Sequence, residues 1–447
     1  MEKIHFTSLG CPRNLVDSEV MLGILLQAGY EITPDLKEAD YLVVNTCAFL
    51  ESSRQESKDT IQELLDSKKE LAKLVVTGCM VTKHRKEIEE LFPGVHYMLG
   101  SGDVQGILKA VQSDRKGQEV GTVRSYLEQG EVPRMLSTPS HYAYLKIAEG
   151  CRKACAYCII PRIKGPLRSK SEEQIIKEFN ALISQGVKEI ILIAQDLGDY
   201  GKDSKGNLAD LLRKILMIKG DYWIRMLYLY PDEIDDELIS LMQQDKRICP
   251  YLDMPIQHIN DEILKKMKRH TDGAQIKSVI TRLREKIPNI HIRTSLIVGF
   301  PSETEEQFEE LLEFVQDYPL NHVGIFKYSQ EEGTVAGRMD EQIPDEVKEE
   351  RHQRLAALQQ QISESLNENL IGQKLQVVVE AYHPESELLL VGRHQGQCPE
   401  IDGQVILNDW RLVDSFGERY EVEITDVAGY DLIGRVTKKL YNPLKLF

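Results

Sequence analysis

The chain has 447 residues, 42% of them hydrophobic and 28% charged, a composition typical of a globular protein of about three domains. Its formal net charge of −16 excludes binding through a broad basic surface, although a local basic patch could persist, and it suits a basic partner. We expect neither a signal peptide nor a membrane span, because the sequence contains no suitable apolar run. Eight cysteines in such a chain indicate metal or redox use in the cytoplasm.

The first segment, residues 1–116, alternates strand and helix patterns. Apolar strand patterns at 4–9, 41–45, 74–77 and 96–99 are each followed by a helical pattern. This alternation predicts a doubly wound parallel sheet, an α/β fold. Residues 117–140 are polar and carry Gly, Pro and Ser, which is typical of a linker between domains.

Three cysteines of the first segment occupy matching positions. Cys11, Cys47 and Cys79 each come directly after a predicted strand and before a helix, about one βαβ unit apart. The carboxyl ends of parallel strands meet at one edge of a sheet, where open α/β sheets bind ligands. We therefore expect a thiol-ligated cluster at this edge, with buried structural cysteines as the alternative.

A second group of three cysteines lies in one short loop. Cys151, Cys155 and Cys158 have the spacing CxxxCxxC, after a strand pattern at 142–148. Thiolates are soft ligands for zinc, copper(I) or iron–sulfur clusters, and structural zinc normally takes four ligands. Three cysteines without a fourth ligand suggest a cluster with one open iron. Gly150 and its charged neighbours indicate a loop, which makes three core cysteines on one helix face the weaker alternative.

The remaining sequence predicts two further domains. Six strand patterns alternate with helices over 141–344, a pattern typical of a partial, open barrel with its chemistry at the carboxyl ends of the strands. Capping-box patterns at Ser171 and Ser302 mark two helix starts. A connecting helix is expected over 345–370 and a small all-β barrel of about five strands over 371–440. Cys249 and Cys398 lie outside both cysteine groups.

The cysteine loop, with aromatic Tyr157 before its last cysteine, resembles the radical S-adenosylmethionine (SAM) superfamily. Taken together, the three parts resemble the methylthiotransferase family of that superfamily, whose last part is a TRAM domain. The resemblance implies two [4Fe–4S] clusters. One would be an auxiliary, sulfur-carrying cluster on Cys11, Cys47 and Cys79. The other would sit on Cys151, Cys155 and Cys158 and bind SAM at its open iron.

Four motifs look like the RimO-type branch, which modifies an aspartate of the ribosomal small-subunit protein numbered twelve. They are SLGCPRNLVDSE at 8–19, IAQD at 193–196, DMPIQH at 253–258 and FKYSQEEGT at 326–334. One SAM would methylate a sulfur on the auxiliary cluster, and a second would yield a radical that removes a hydrogen from the aspartate β-carbon. Ser302 stands where the family is expected to have Gly.

The resemblance also implies SAM contacts and partners. At the barrel mouth we expect Tyr157, Gln195, Asp196, Gln257 and Arg293 to contact SAM, with ordinary polar strand-end residues as the alternative. Electrons would come from a donor such as a flavodoxin. The last segment, 371–447, has twelve acidic and eight basic residues, which suits a basic protein partner better than nucleic acid.

Two other functions remain open from the sequence. A tRNA adenosine methylthiotransferase would share the chemistry and differ in substrate. A non-catalytic iron–sulfur carrier or sensor would bind clusters without cleaving SAM.

Overall fold

The computed structural model describes residues 1–121, 127 and 133–441. Within the predicted linker over 117–140, residues 122–126 and 128–132 therefore lie outside the described part. The described residues form two six-stranded sheets, one closed five-stranded barrel and a small two-stranded sheet. The predicted fold class, a doubly wound sheet followed by a partial barrel and a small all-β barrel, is confirmed.

The first sheet is parallel throughout, in the strand order β2-β1-β3-β4-β5-β6. Its central strand is buried along its whole length, because helices cover both faces of the sheet. The elements are β1 Lys3–Ser8, α1 Pro12–Gln27, β2 Glu31–Ile32, β3 Tyr41–Thr46, α2 Glu51–Ser67, β4 Lys73–Gly78, α3 Cys79–Leu91, β5 Tyr97–Gly100, α4 Ile107–Gln112 and β6 Gly117–Glu119.

Two short edge strands of this sheet have no counterpart among the predicted strands. β2 has two residues and pairs with β1, and β6 has three and pairs with β5. Segments this short contain too few residues for an apolar pattern to show. Because β6 occupies 117–119, the sheet continues past residue 116 into the expected linker.

The second sheet is also parallel, in the order β14-β13-β12-β11-β10-β7, and the two outer strands do not pair with each other. It is the predicted open barrel of six units. Its elements are β7 Tyr142–Lys146, β8 Ala148–Glu149, α5 Ile160–Lys164, β9 Arg168–Ser169, α6 Glu172–Ser184, β10 Glu189–Ile193, α7 Leu208–Leu216, β11 Trp223–Met226, α8 Asp236–Gln244, β12 Ile248–Asp253, α9 Asp261–Lys266, α10 Gly273–Lys286, β13 His291–Val298, α11 Glu305–Asp317 and β14 His322–Lys327.

The two predicted helix starts in this domain have different outcomes. Ser171 caps α6 with the expected capping box. The prediction at Ser302 is wrong, because α11 is capped by Thr304 and Gln307 instead. Ser302 has φ 66°, in the left-handed region where glycine carries no Cβ penalty. This conformation gives a physical reason for the glycine expected at that position.

The C-terminal part contains a long helix and the closed barrel, in the strand order β15-β16-β17-β19-β18. Leu355 of the helix is fully buried, and the Gln359 amide donates to the Leu320 carbonyl at 2.9 Å, so the helix packs on the open barrel. The elements are α12 Asp345–Glu368, β15 Lys374–His383, β16 Ser386–His394, β17 Val405–Asp409, β18 Glu418–Ala428 and β19 Asp431–Lys439.

The turn between β16 and β17 closes the base of the open barrel, meaning the amino ends of its strands. Arg393 forms a 2.9 Å ion pair with Glu189, which also binds Arg225 at 2.6 Å. The Tyr251 hydroxyl donates to Asp402 at 2.7 Å. All five side chains are buried or nearly so, so the C-terminal barrel is fixed to this base.

The two cysteines outside the predicted sites lie at this base. Cys249 and Cys398 are fully buried in one apolar cluster. Burial raises the pKa of the Cys249 thiol to about 12. Both residues therefore belong to the packing between the open barrel and the C-terminal barrel. Among the described helices, none has the length and apolar character to cross a membrane.

Candidate active site

The first cysteine site is assembled from three neighbouring strands. Cys11 follows β1 and caps α1, Cys47 follows β3, and Cys79 opens α3 directly after β4. These strands are adjacent in the sheet, so their carboxyl ends bring the three loops together. Gly10 has φ 90°, and a Cβ there would lie 2.9 Å from the Cys47 Cβ. Only glycine lets the first two loops approach this closely.

Polar residues around the first site fix its loops. The Asn14 amide donates to the Leu9 carbonyl at 2.7 Å and to the Thr46 carbonyl at 3.2 Å, which ties the first two loops together. Burial alone would raise the pKa of Cys11, but Arg13, the Asn14 N–H and Lys164 together lower it.

The other two thiols of this site have raised pKa values. Burial raises the pKa of Cys47, and it raises the pKa of Cys79 to about 12 although Lys164 acts in the opposite direction. Cys11 is therefore the thiol of this site most readily converted to a thiolate.

The second cysteine site is a single loop at the carboxyl end of the open barrel. Gly150 has φ 77°, and a Cβ there would lie 2.0 Å from the Pro166 carbonyl oxygen. Two backbone hydrogen bonds fix the middle of the loop. The Ala156 N–H donates to the Met267 carbonyl at 2.9 Å and the Ala336 N–H to the Ala156 carbonyl at 2.8 Å. Distant parts of the barrel therefore set the loop's orientation.

Aromatic and cationic side chains surround this loop. The Tyr230 hydroxyl lies 3.7 Å from the Cys155 sulfur, and Arg269 Nη1 lies 3.8 Å from the same atom. The guanidinium of Arg269 stacks 4.0 Å from the centre of the Tyr230 ring. Burial holds the pKa of Tyr157 well above its ordinary value. No motif in the sequence marks Arg269, because it reaches the loop only through folding.

Both cysteine sets suit clusters better than a single ion. A zinc ion binds thiolates at about 2.3 Å, which puts its ligand sulfurs about 4 Å apart. Among the described residues, neither cysteine set brings three sulfurs within 4.8 Å of one another. Thiols spaced more widely than this fit separate irons of one cluster.

Three carboxylates do lie close enough together to hold a single ion. Oxygen atoms of Asp196, Asp199 and Glu233 all lie within 4.8 Å of one another. Lys153 lies 2.9 Å from Glu233, and Lys202 lies 3.3 Å from Asp199. These lysines already balance the carboxylate charge, so we assign no metal to this group.

Three of the five predicted SAM contacts, Gln195, Asp196 and Gln257, lie at strand ends around the barrel mouth. Each has a feature that suits contact with a ligand. Both polar atoms of the Gln195 amide are buried without a hydrogen-bond partner in the described structure. Asp196 is buried, and burial together with Asp199 raises its pKa to about 7. Gln257 has φ 73° and is held through its backbone by Ser295 and Ile297.

The other two predicted contacts differ in position. Tyr157 lies within the cysteine loop. Arg293 is the third residue of β13 and faces the barrel interior closer to the base. It forms ion pairs with Asp253 at 2.9 Å and Asp402 at 3.5 Å. Its charge is therefore already balanced within the protein.

Arg13 joins the two cysteine sites. Its Nη1 donates to the Ala194 carbonyl, at the end of β10, at 2.8 Å. Its guanidinium lies 4.7 Å from the centre of the Tyr228 ring. Its charge opposes the effect of burial on the pKa of both Cys11 and Cys158. The carboxyl edges of the two sheets therefore face each other across this side chain.

Family models match all three parts of the chain. Residues 3–100 match the uncharacterized protein family UPF0004, 145–315 the radical SAM superfamily, and 371–437 the TRAM domain. The fold agrees with a solved radical SAM methyltransferase, TsrM from Kitasatospora setae. The TM-score is 0.54 at 16% identity, over 73% of this chain and 75% of that one. The fold and the site thus define a radical SAM protein with a TRAM domain.

Curated relatives match nearly the whole chain. The ribosomal protein uS12 methylthiotransferase RimO of Protochlamydia amoebophila is 66% identical, over 97% of this chain and 92% of its own length. Those of Chlamydia caviae and Bdellovibrio bacteriovorus are 59% and 43% identical, covering 98% and 97% of this chain and 96% and 97% of their own lengths. The chain belongs to the RimO family of ribosomal protein uS12 methylthiotransferases, and the expected family is confirmed.

Proposed function

We propose that this chain places a methylthio group on the β-carbon of an aspartate in ribosomal protein uS12. Its relatives at 43–66% identity are named for methylthiotransfer to that protein. The observation that carries the proposal is the facing of two cysteine triplets, one on each sheet edge, with Arg13 between them. A transfer that needs both a sulfur source and a radical source requires two such sites around one substrate carbon.

The six site cysteines would hold two [4Fe–4S] clusters. Cys11, Cys47 and Cys79 would ligate the auxiliary cluster, which carries the sulfur. Cys151, Cys155 and Cys158 would ligate the other cluster and leave one iron for SAM. When bound, that cluster and SAM supply a radical able to remove hydrogen from an unactivated carbon, which acid–base groups cannot easily do.

The protein's own side chains would orient SAM and keep water away. The unpartnered Gln195 amide offers two N–H donors and an acceptor oxygen at the mouth. Tyr157 and Tyr230 form an aromatic wall beside Cys155, suited to a flat heterocycle. Asp196 lies after β10 and Gln257 after β12, two strands that flank β11. Arg293 would act from the side of the barrel base, where its ion pair with Asp253 holds its position.

Each of the three domains of the chain would have its own task. We assign the auxiliary site to 1–116, the radical chemistry to 141–344 and partner docking to the TRAM domain at 371–440, with 345–370 as a connecting helix. The overall negative charge favours a basic ribosomal protein over nucleic acid as the primary partner. We place the reaction in the cytoplasm with the ribosomes, and we expect a flavodoxin-type protein to supply electrons.

Mass spectrometry of uS12 tests the proposal. Anaerobically reconstituted protein, incubated with uS12, SAM and a reductant, should add one methylthio group to one aspartate and release deoxyadenosine. A strain lacking the gene should carry unmodified uS12 and unchanged tRNA. Intact uS12 modification with a missing tRNA nucleoside would establish the tRNA adenosine activity instead. Absence of deoxyadenosine would leave only a carrier or sensor.

A further inference from the structure

Arg13 has contacts that hold its position, but within the described residues no carboxylate pairs with its charge. Its guanidinium has five N–H donors. Nη1 donates to the Ala194 carbonyl, and the guanidinium also lies beside the Cys11 thiol, whose pKa it lowers. The Tyr228 ring covers one face at 4.7 Å. Among the described residues, no carboxylate lies within 4.0 Å of this side chain, so it has no ion pair.

Two other buried cations near the two sites, Lys164 and Arg269, are either paired or closed off. Lys164 binds Asp17 at 3.1 Å and Glu149 at 2.9 Å. Arg269 also lacks a carboxylate partner among the described residues, but it is only 8% exposed and lies under Tyr230. Arg13 is partly exposed, so a molecule in the space between the two sheet edges can reach it.

A partly buried guanidinium without a carboxylate partner favours the binding of a carboxylate. Removing a cation from water costs free energy that a bound anion recovers. The planar fork of arginine matches a carboxylate, which it can bind through two parallel hydrogen bonds. At Arg13 the donors that face neither Ala194 nor Cys11 are available for such a pair.

We propose that Arg13 binds the side-chain carboxylate of the target aspartate. This inference rests on the proposed function, because it takes the substrate to be an aspartate. The carboxyl carbon of aspartate is bonded directly to the β-carbon. A carboxylate held at Arg13 therefore places the β-carbon between the Cys11 set and the Cys151 set, where hydrogen removal and sulfur transfer must both reach it.

Binding of peptides tests this role without relying on turnover. Fluorescence anisotropy would compare a uS12 peptide that contains the target aspartate with the same peptide carrying asparagine, on anaerobically reconstituted protein. The wild-type protein should prefer the aspartate peptide by roughly ten- to hundredfold, the range of a charge-assisted hydrogen-bonded pair. Arg13→Met should bind both peptides equally and weakly. Arg13→Lys should keep part of the preference.

A matched arginine provides the control. Arg85 lies on α3 of the same domain, with its side chain 39% exposed beside Glu89. Arg85→Met should leave the preference between the two peptides unchanged. Iron content and melting temperature, measured for every variant, show whether the sites have formed. If Arg13→Met loses iron, Arg13→Lys decides, because it keeps the charge and removes the fork.

Two failures can be told apart. If folded Arg13→Met, or Arg13→Lys in its place, prefers the aspartate peptide as strongly as wild type, Arg13 only joins the two domains or offsets thiolate charge, and the inference is overturned. If wild-type protein neither binds nor modifies the uS12 peptide, the proposed function itself fails. As a second readout, deoxyadenosine formed per methylthio group should rise at least tenfold in Arg13→Met, because the β-carbon is no longer positioned.

Discussion

The two cysteine sites have the same number of thiols but are built in different ways. The first takes one cysteine from each of three loops, after β1, β3 and β4. The second takes all three from one loop between β8 and α5. The first site therefore exists only when the parallel sheet has formed. The second has its ligands close in sequence, and folding supplies mainly its orientation.

The two sites therefore differ in what determines the positions of their thiols. In the first site a change to any of three strands moves one thiol relative to the others. In the second site the three thiols move together, and contacts such as those of Ala156 with Met267 and Ala336 set where they point. We therefore expect the first site to be the more sensitive to sheet defects and the second to loop geometry.

The largest expected effect separates the sites by function. Reconstituted wild-type protein should carry about eight irons, from two [4Fe–4S] clusters. Replacing Cys151, Cys155 and Cys158 by Ala should halve the iron and abolish SAM cleavage, because no open iron remains.

The matched triple change of Cys11, Cys47 and Cys79 to Ala should also halve the iron. SAM cleavage should stay measurable in this variant, because the barrel folds around its own core, but no methylthio group should reach uS12. Iron, deoxyadenosine and target mass would be measured on one anaerobic preparation. Methylthio transfer by this second variant would make the N-terminal cysteines structural.

A smaller effect is expected from glycines that hold the loops. Gly10→Ala should reduce iron at the first site, because the new Cβ meets Cys47. Gly29 has the same φ of 90° with nothing within 4 Å, so Gly29→Ala should cost about 1–2 kcal/mol of stability and no iron. Gly150→Ala should lower iron at the second site and reduce SAM cleavage, because of the contact with Pro166.

Iron content and the free energy of unfolding would be measured for all three glycine variants. Equal iron in Gly10→Ala and Gly29→Ala would show that close approach of the loops does not shape the first site.

The smallest expected effect concerns thiol reactivity before iron is bound. The pKa of Cys11 is lowered, whereas burial raises that of Cys79 to about 12 and that of Cys158 to about 12. At pH 8 a thiol with a pKa of about 12 is a thiolate in only about one molecule in ten thousand. Iodoacetamide should therefore alkylate Cys11 before Cys79 and Cys158 in the apo-protein. Lowering the pH should slow the alkylation of Cys79 and Cys158 at least as much as that of Cys11.

Peptide mapping of the alkylated protein at several pH values measures this order. Labelling of Cys79 or Cys158 before Cys11 would contradict the predicted order. Arg13→Met should slow the labelling of Cys11, because part of the charge that favours its thiolate is removed.

The sequence predicts the fold and the places of both cysteine sets in it, because the signals are local. Strand–helix alternation places Cys11, Cys47 and Cys79 at one edge without knowledge of any side-chain contact. The same alternation shows that Cys151 follows a barrel strand. These predictions need only the order of elements and the geometry of parallel sheets.

Contacts between distant parts of the chain could not be predicted in this way. Arg269 lies beside Cys155 only because the loop after α9 folds back onto it. Arg13 is visible in the sequence as a neighbour of Cys11, but its approach to Ala194 depends on how the two sheets dock. Arg293 was expected at the mouth, and its early position in β13 instead brings it to Asp402 of the C-terminal barrel.

Because the C-terminal barrel closes the base of the open barrel, the distance between the TRAM barrel and the cysteine sites is fixed. The TRAM barrel is joined to the amino ends of the strands through Arg393 and Asp402, while the cysteines lie at the carboxyl ends. β13 has eight residues, and at about 3.3 Å per residue its first and last Cα atoms are about 23 Å apart. A partner that touches the TRAM barrel and presents its aspartate at the mouth must reach over that distance, so a peptide much shorter than an extended octamer can engage one end only.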